Sequence, residues 1–234
     1  ENTTFIEATS GNTGIALAAA GAALGNPVKI IMPCNMSEER KQMMRAFGAE
    51  VVEVGHSDFQ GAIALRGQMM LTGEDVWSPM QFENLDNVEC HRDTTGPEIH
   101  LQLDPNMPWS GFVGGAGTGG TMMGLHDYRD KTKFLDYKCV LVVPAEDAQN
   151  HGIQGINDGQ DFLLDPDKMD DVMKVSTADA IERARRLAQE NGLLVGISAG
   201  ANVLAAERWI AKRRPAGVVV TILCDRGERY LSCS

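Results

Sequence analysis

Short apolar runs alternate with helix-length segments along the chain, and this alternation constrains the fold more than any other feature. Phe5 to Ala8, Val28 to Met32 (apolar except for Lys29), Val51 to Val54, Gly111 to Gly114, Val140 to Val143 and Val218 to Cys224 read as strands. Between them lie helical patterns over Thr13–Leu24, Ser37–Phe47, Asp58–Leu71, Thr95–Leu103, Thr121–Tyr128, Ala178–Asn191 and Ala201–Arg213. Gly25 and Gly48 follow the first two helices as C′ residues, and Asn35 with Glu38 offers a capping-box start to the second. Strands that are apolar throughout and separated by helices are parallel and covered on both faces. The expected class is therefore α/β with two parallel-sheet lobes, 1–92 smaller and 93–234 larger. Residues 75–93 read as a connecting stretch, and 151–168 as a long Gly-, Asp- and Asn-rich surface or substrate-side loop.

Charge and cysteine usage narrow the function. A net charge of −11 repels phosphate backbones, which argues against nucleic acid as a partner. Five cysteines are scattered without a C-x-x-C pair, so neither a disulfide framework nor a metal site is expected. The compartment expected is reducing, intracellular and cytoplasmic. No apolar run has transmembrane length. The 25 glycines gather at turns and before helices, where binding loops form.

Two strand-to-helix turns carry the chemistry. Gly115-Ala116-Gly117-Thr118-Gly119-Gly120-Thr121 follows an apolar strand and opens a helix. Glycines allow close backbone approach to a phosphate, the helix N-terminus supplies N–H groups and a positive dipole end, and Thr118 and Thr121 add hydroxyls. The same residues satisfy G-x-G-x-x-G through Gly115, Gly117 and Gly120, with Glu146 as a ribose-binding acid, so a nicotinamide-binding Rossmann domain is an alternative. A tight turn without ligand is another. Glu7-Ala8-Thr9-Ser10-Gly11-Asn12-Thr13-Gly14 is the second turn, and it presents neutral donors suited to a carboxylate. Its bland reading is an ordinary N-cap.

That octet, followed by Ile-Ala-Leu-Ala, resembles the substrate loop of the cysteine synthase (O-acetylserine sulfhydrylase) family. The resemblance continues through residues 32–40 (MPCNMSEER), 81–84 (QFEN), 94–99 (TTGPEI), 117–121 (GTGGT), 152–156 (GIQGI), 196–201 (GISAGA) and 224–232 (CDRGERYLS). It implies the tryptophan synthase β-like fold of pyridoxal-phosphate (PLP) enzymes, with a mobile substrate-binding lobe followed by a cofactor-binding lobe. By resemblance, Asn12 contacts the cofactor's ring hydroxyl, and Thr9, Ser10, Gly11 and Thr13 hold the amino-acid carboxylate with Gln81. Gly117, Thr118, Gly119, Gly120 and Thr121 cradle the phosphate. Ser198 faces the pyridine nitrogen, Gly196 keeps that approach open, and Cys224 joins the cofactor site. A neutral hydroxyl at the ring nitrogen makes a weaker electron sink than a carboxylate would, which favours expulsion of a β-leaving group. The implied reaction is β-replacement of acetate in O-acetylserine by sulfide, in a homodimer. The Cys-Asp-Arg-Gly ending is closer to the B-type sulfhydrylases, and Gly-Ile-Gln-Gly-Ile to the A-type.

The family's Schiff-base lysine lies in an Asn-Pro-x-x-Ser-x-Lys-Asp-Arg motif upstream of the octet. The sequence opens after that point, which reads as a truncated start with the N-terminal part of the lobe missing. Every lysine present reads as a solvated side chain. Leu85, Arg92-Asp93 and Ala199 depart from the family pattern. Cystathionine β-synthase and serine/threonine dehydratase share the implied fold and are the enzymatic alternatives. A lysine-less, non-catalytic homologue is the alternative of another class.

Overall fold

Each half of the chain builds a four-stranded, all-parallel sheet in which the first strand lies inside rather than at an edge. The computed structural model describes residues 3–9, 11–147, 150–156 and 160–232. It divides into one unit of Glu1–Gln81 with Glu228–Ser234 and a second of Phe82–Gly227.

In the first unit the order is β3-β2-β1-β4. Strand β1 (Thr4–Ala8) pairs with β2 (Val28–Pro33), which continues to β3 (Glu50–Val54), while β4 (Val76–Trp77) lies on the other side of β1. Helices α1 (Asn12–Leu24), α2 (Glu38–Ala46) and α3 (Phe59–Thr72) complete it. Ile15, Ala18, Ile30, Met32 and Met44 form its core, and the Met pair of α2 serves as adaptable filling. Gly14 lets α1 settle on the sheet, since a Cβ there would meet Thr9 Cγ2 at 2.7 Å and Met44 Cε at 2.8 Å.

The second unit repeats the pattern as β7-β6-β5-β8, formed by β5 (Trp109–Gly115), β6 (Lys138–Pro144), β7 (Asp171–Val175) and β8 (Val218–Thr221). Helices α4 (Asp86–Cys90), α5 (Gly96–Gln102), α6 (Gly120–Lys131), α7 (Thr177–Asn191) and α8 (Ile197–Arg213) surround it. A π-helical turn, His91–Thr95, joins α4 to α5. Trp109, Phe112, Leu125, Tyr137 and Leu141 fill the core, with Trp109 stacked on Tyr137 at 3.8 Å between ring centroids. In both sheets the chain steps from the first strand to one side and returns on the other. The C-terminal ends of β1 and β5 are therefore topological switch points, where open α/β sheets bind ligands.

Several expectations need correction. The two compact units meet in sequence at 81/82, beside the lobe change expected at 92/93, and α4 and the π-turn bond to residues at the start of α6. The tail expected in the second lobe belongs to the first unit, where Tyr230 lies under the Arg40 guanidinium (4.6 Å to the ring centroid) and Ser232 bonds Glu39. The stretch 75–93 is not mere connection but holds β4 and α4, which are too short to show periodicity. Strand β7 is absent from the expected set because Asp171 and Lys174 interrupt its apolar pattern. Asn35 does not cap α2; its amide bonds the Ser57 backbone and hydroxyl instead. Lys41 is buried rather than solvated, donating to the Cys34 carbonyl and the Glu53 carboxylate at 2.7 Å each. Among the described residues no helix is long and apolar enough to cross a membrane.

Candidate functional site

In the first unit the turn after β1 is built on buried charge. Glu7 and Thr9 are buried, and the Glu7 carboxylate accepts the backbone N–H of Ala8 (2.8 Å) and of Gln81 (3.0 Å). Arg66 of α3, itself buried, stands 3.8 Å from the same carboxylate. The Gln81 amide donates to the Ala8 carbonyl at 2.7 Å and accepts the Thr13 hydroxyl at 2.7 Å. Thr9 Oγ1 accepts the Gly11 N–H at 3.1 Å, which leaves the Thr9 hydroxyl proton to donate elsewhere. Thr9, Gly11, Thr13 and Gln81 are thus brought together at the N-terminus of α1, where Asn12 is exposed on its first turn. Ser10 lies outside the described residues. Close packing imposes Gly11, because a Cβ would lie 3.1 Å from Arg40 Cζ and closer still to Arg40 Cδ and Nε. A buried guanidinium behind this turn adds positive potential to the N–H groups at the helix start.

In the second unit the turn after β5 runs from Gly115 to Thr121. Gly119 takes the left-handed conformation (φ 91°) as N-cap of α6. A Cβ on Gly117 would meet the Gly155 carbonyl at 2.6 Å, so the second glycine lets the 152–156 segment close against the loop. Thr118 Oγ1 accepts both the Asn87 amide (3.0 Å) and the Gly120 N–H (3.2 Å). Thr121 Oγ1 is 3.1 Å from His91 Nε2, and His91 Nδ1 is 2.8 Å from Thr95 Oγ1. Burial lowers the His91 pKa below its ordinary 6.5, so the imidazole is neutral at pH 7.

Farther along the same unit, Gly196 donates to the Asp225 carbonyl at 3.0 Å, which sets the start of α8 beside the segment after β8. Ser198 is buried in the first turn of α8, with its hydroxyl near enough to the Cys224 thiol to favour the thiolate. Cys224 reaches the surface, yet the groups crowded around its sulfur and then the Asp225 carboxylate raise its pKa, opposed by the bonds from Ser198 and Asn202. Asn202, buried one turn into α8, accepts the Gly115 N–H (2.9 Å) and donates to the Ile222 carbonyl (3.0 Å) and Cys224 Sγ (3.4 Å). One amide therefore ties the first glycine of the loop to the Ser198–Cys224 cluster.

The loop's donor set of backbone N–H groups, two hydroxyls and close-packed glycines suits a phosphate ester. Glu146, the ribose-binding acid of the Rossmann alternative, instead accepts the Thr177 N–H at 2.8 Å at the start of α7. No cluster of metal-ligating side chains occurs among the described residues. Glu7, Arg66, Asn87, His91 and Asn202 escape sequence reasoning as site residues. The first residue of the octet and the histidine three before Thr94-Thr95 were visible signals; Arg66 and Asn202 had none.

Residues 1–225 match the family model described as pyridoxal-phosphate-dependent enzyme. Cysteine synthase B of Campylobacter jejuni is 40% identical over 99% of this chain and 79% of its own length. A hydrogen sulfide-producing enzyme of Fusobacterium nucleatum superposes with a TM-score of 0.89 at 39% identity, covering 99% of this chain and 72% of that one. An O-acetylserine-dependent cystathionine β-synthase of Helicobacter pylori superposes with a TM-score of 0.87 at 34% identity, covering 99% of this chain and 77% of that one. The sequence and both sheets are thus shared with known relatives over almost the whole chain, which belongs to the cysteine synthase family of pyridoxal-phosphate-dependent enzymes.

Proposed function

We propose that this chain carries the PLP- and substrate-binding machinery of a cysteine synthase, replacing the β-acetoxy group of O-acetylserine by sulfide to give L-cysteine. The observation that carries this reading is that both switch-point turns present neutral donors to an anion, each backed by buried residues. The residues fit the cofactor: the Gly117–Thr121 turn matches a phosphate ester, and Ser198 with Cys224 offers neutral partners to a pyridine nitrogen. Bound there, PLP would supply an electron sink for the substrate's α-carbon, which is what loss of a β-substituent requires.

The protein's own part is positioning. Gly117, Thr118, Gly119, Gly120 and Thr121 hold the phosphate, and Asn12 takes the ring hydroxyl. Gly196 leaves the ring open to approach, and Ser198 and Cys224 keep its nitrogen from full protonation. Thr9, Ser10, Gly11 and Thr13, with Gln81, receive the substrate carboxylate. For Thr13 to donate to that carboxylate it exchanges its present bond to Gln81. The Arg40 guanidinium behind Gly11 favours the anion from below. A cytoplasmic homodimer accords with the family resemblance and with four unpaired cysteines among the described residues.

Protein produced from the complete reading frame tests this reading. It should show a visible absorbance band of bound PLP that shifts on addition of O-acetylserine, and should release L-cysteine when sulfide follows. Failure to show the band overturns the enzyme reading. A shift with no L-cysteine redirects it to cystathionine β-synthase or dehydratase chemistry, and the likeness to the Helicobacter pylori enzyme puts the former first.

A further inference from the structure

Two residues outside the glycine turn hydrogen-bond its hydroxyls. Asn87 on α4 and His91, the first residue of the π-helical turn, are four apart and face α6 together. Opposite them α6 carries glycines with the same spacing. A Cβ on Gly120 would fall on the Asn87 amide, and one on Gly124 would lie 2.5 Å from His91 Cβ. The two pairs interlock, which brings both polar side chains to the start of α6. π-turns recur at functional positions in helices.

The hydrogen bonds have a direction. Thr118 Oγ1 accepts from the Asn87 amide and from the Gly120 N–H, so both its lone pairs are engaged and its proton is available only for donation. His91 offers the same arrangement to Thr121. In the tautomer whose Nδ1 accepts from Thr95, Nε2 carries the hydrogen and donates to Thr121 Oγ1, leaving that hydroxyl proton to donate as well. We propose that Asn87 and His91 are positioning residues that commit the Thr118 and Thr121 hydroxyls to donate to an anion, so that the turn selects the phosphate ester over the free alcohol of the cofactor. The inference rests on the reading of this turn as the phosphate site.

Equilibrium binding of PLP and of pyridoxal, which lacks the phosphate, to the intact chain tests it through tryptophan fluorescence. Asn87→Asp keeps the shape but replaces the N–H donor by a carboxylate, which claims the Thr118 proton and adds negative charge. PLP affinity should fall about tenfold or more, with pyridoxal affinity unchanged. His91→Ala should produce the same selective loss, and His91→Gln, whose amide reaches the position of Nε2, should restore most of it. In a Thr118→Val background, Asn87→Asp should have a much smaller effect, since the coupling passes through that hydroxyl. Equal loss of PLP and pyridoxal binding, or no loss with Asn87→Asp, overturns the inference alone. A wild-type chain that holds pyridoxal as tightly as PLP overturns the phosphate reading and the inference together.

Discussion

Gln81 donates its backbone N–H to the Glu7 carboxylate at 3.0 Å, although 74 residues separate the two in sequence. Glu7 is fully buried and is shared with Ala8 and the Arg66 guanidinium. A buried carboxylate of this kind is tolerated because its oxygens are bonded and an opposite charge is near. Its structural consequence is that the segment at Gln81 is fastened beside the turn after β1, where the Gln81 side chain meets Thr13 and Ala8.

Removing one partner of this pair should cost more than removing both. Glu7→Ala leaves the Arg66 charge buried without its carboxylate and should destabilise the first unit by about 3–5 kcal/mol. Glu7→Gln combined with Arg66→Met should cost less than Glu7→Ala alone. Urea titrations followed by Trp77 fluorescence measure this. A loss of under ~1 kcal/mol for Glu7→Ala would show that the pair does not hold the turn.

Acid should loosen the second unit through His91. Its folded pKa lies below the ordinary 6.5, whereas in the unfolded chain it recovers the ordinary value. The unfolded state therefore binds the proton more readily. The contribution is fully present above about pH 6.5 and is lost as pH falls through the folded pKa. Thermal melts at pH 7.5 and pH 5.5 should show a drop in Tm for the wild type and a smaller drop for His91→Gln. Identical drops in the two proteins would remove His91 from the account.

Local signals made much of this architecture legible in advance. Gly25 and Gly48 sit after α1 and α2 with positive φ, as their place in the sequence predicts, and the two Gly/Thr-rich turns fall at strand ends. What escapes is set by long-range contact. Val76–Trp77 is a two-residue strand held by β1, and the five residues of α4 are too few for a helical period to appear. Lys41 reads as a solvated residue of an amphipathic helix, and only folding brings Glu53 to it. The candidate site shows the same division. Its glycines and hydroxyls were readable because their turn chemistry is local, whereas Arg66, Asn87 and Asn202 act across 59, 31 and 87 residues on Glu7, Thr118 and Gly115.

Cys224 should behave as a sluggish thiol despite its exposure. Crowding around the sulfur and the nearby Asp225 carboxylate hold its pKa above the ordinary 9.0, so the thiolate is scarce at neutral pH. Iodoacetamide labelling resolved by peptide mass spectrometry should show Cys224 modification rising only above about pH 9. A midpoint at about pH 8 or below would contradict this and mark Cys224 as activated. Asp225→Asn should move the midpoint downward, because it removes the negative charge that opposes ionisation.

Asn202 is the sharpest test of how the glycine turn is held. Its carbonyl oxygen accepts from Gly115 and its amide nitrogen donates to Ile222 and Cys224, so neither end can be exchanged for the other. Asn202→Asp preserves shape and the acceptor but sets a second oxygen against the Ile222 carbonyl. At pH 7 that oxygen carries charge in a buried position. The expected loss is about 2–4 kcal/mol, larger than for Asn202→Ser, whose smaller group leaves room for water. Lowering the pH should narrow the gap, because protonating the new carboxyl restores a donor toward Ile222; the residual gap is then read by urea denaturation at pH 7 and pH 5. Equal stability of Asn202→Asp and wild type at pH 7 would mean that the amide's orientation does not matter, and that the turn after β5 is fixed by its glycines alone.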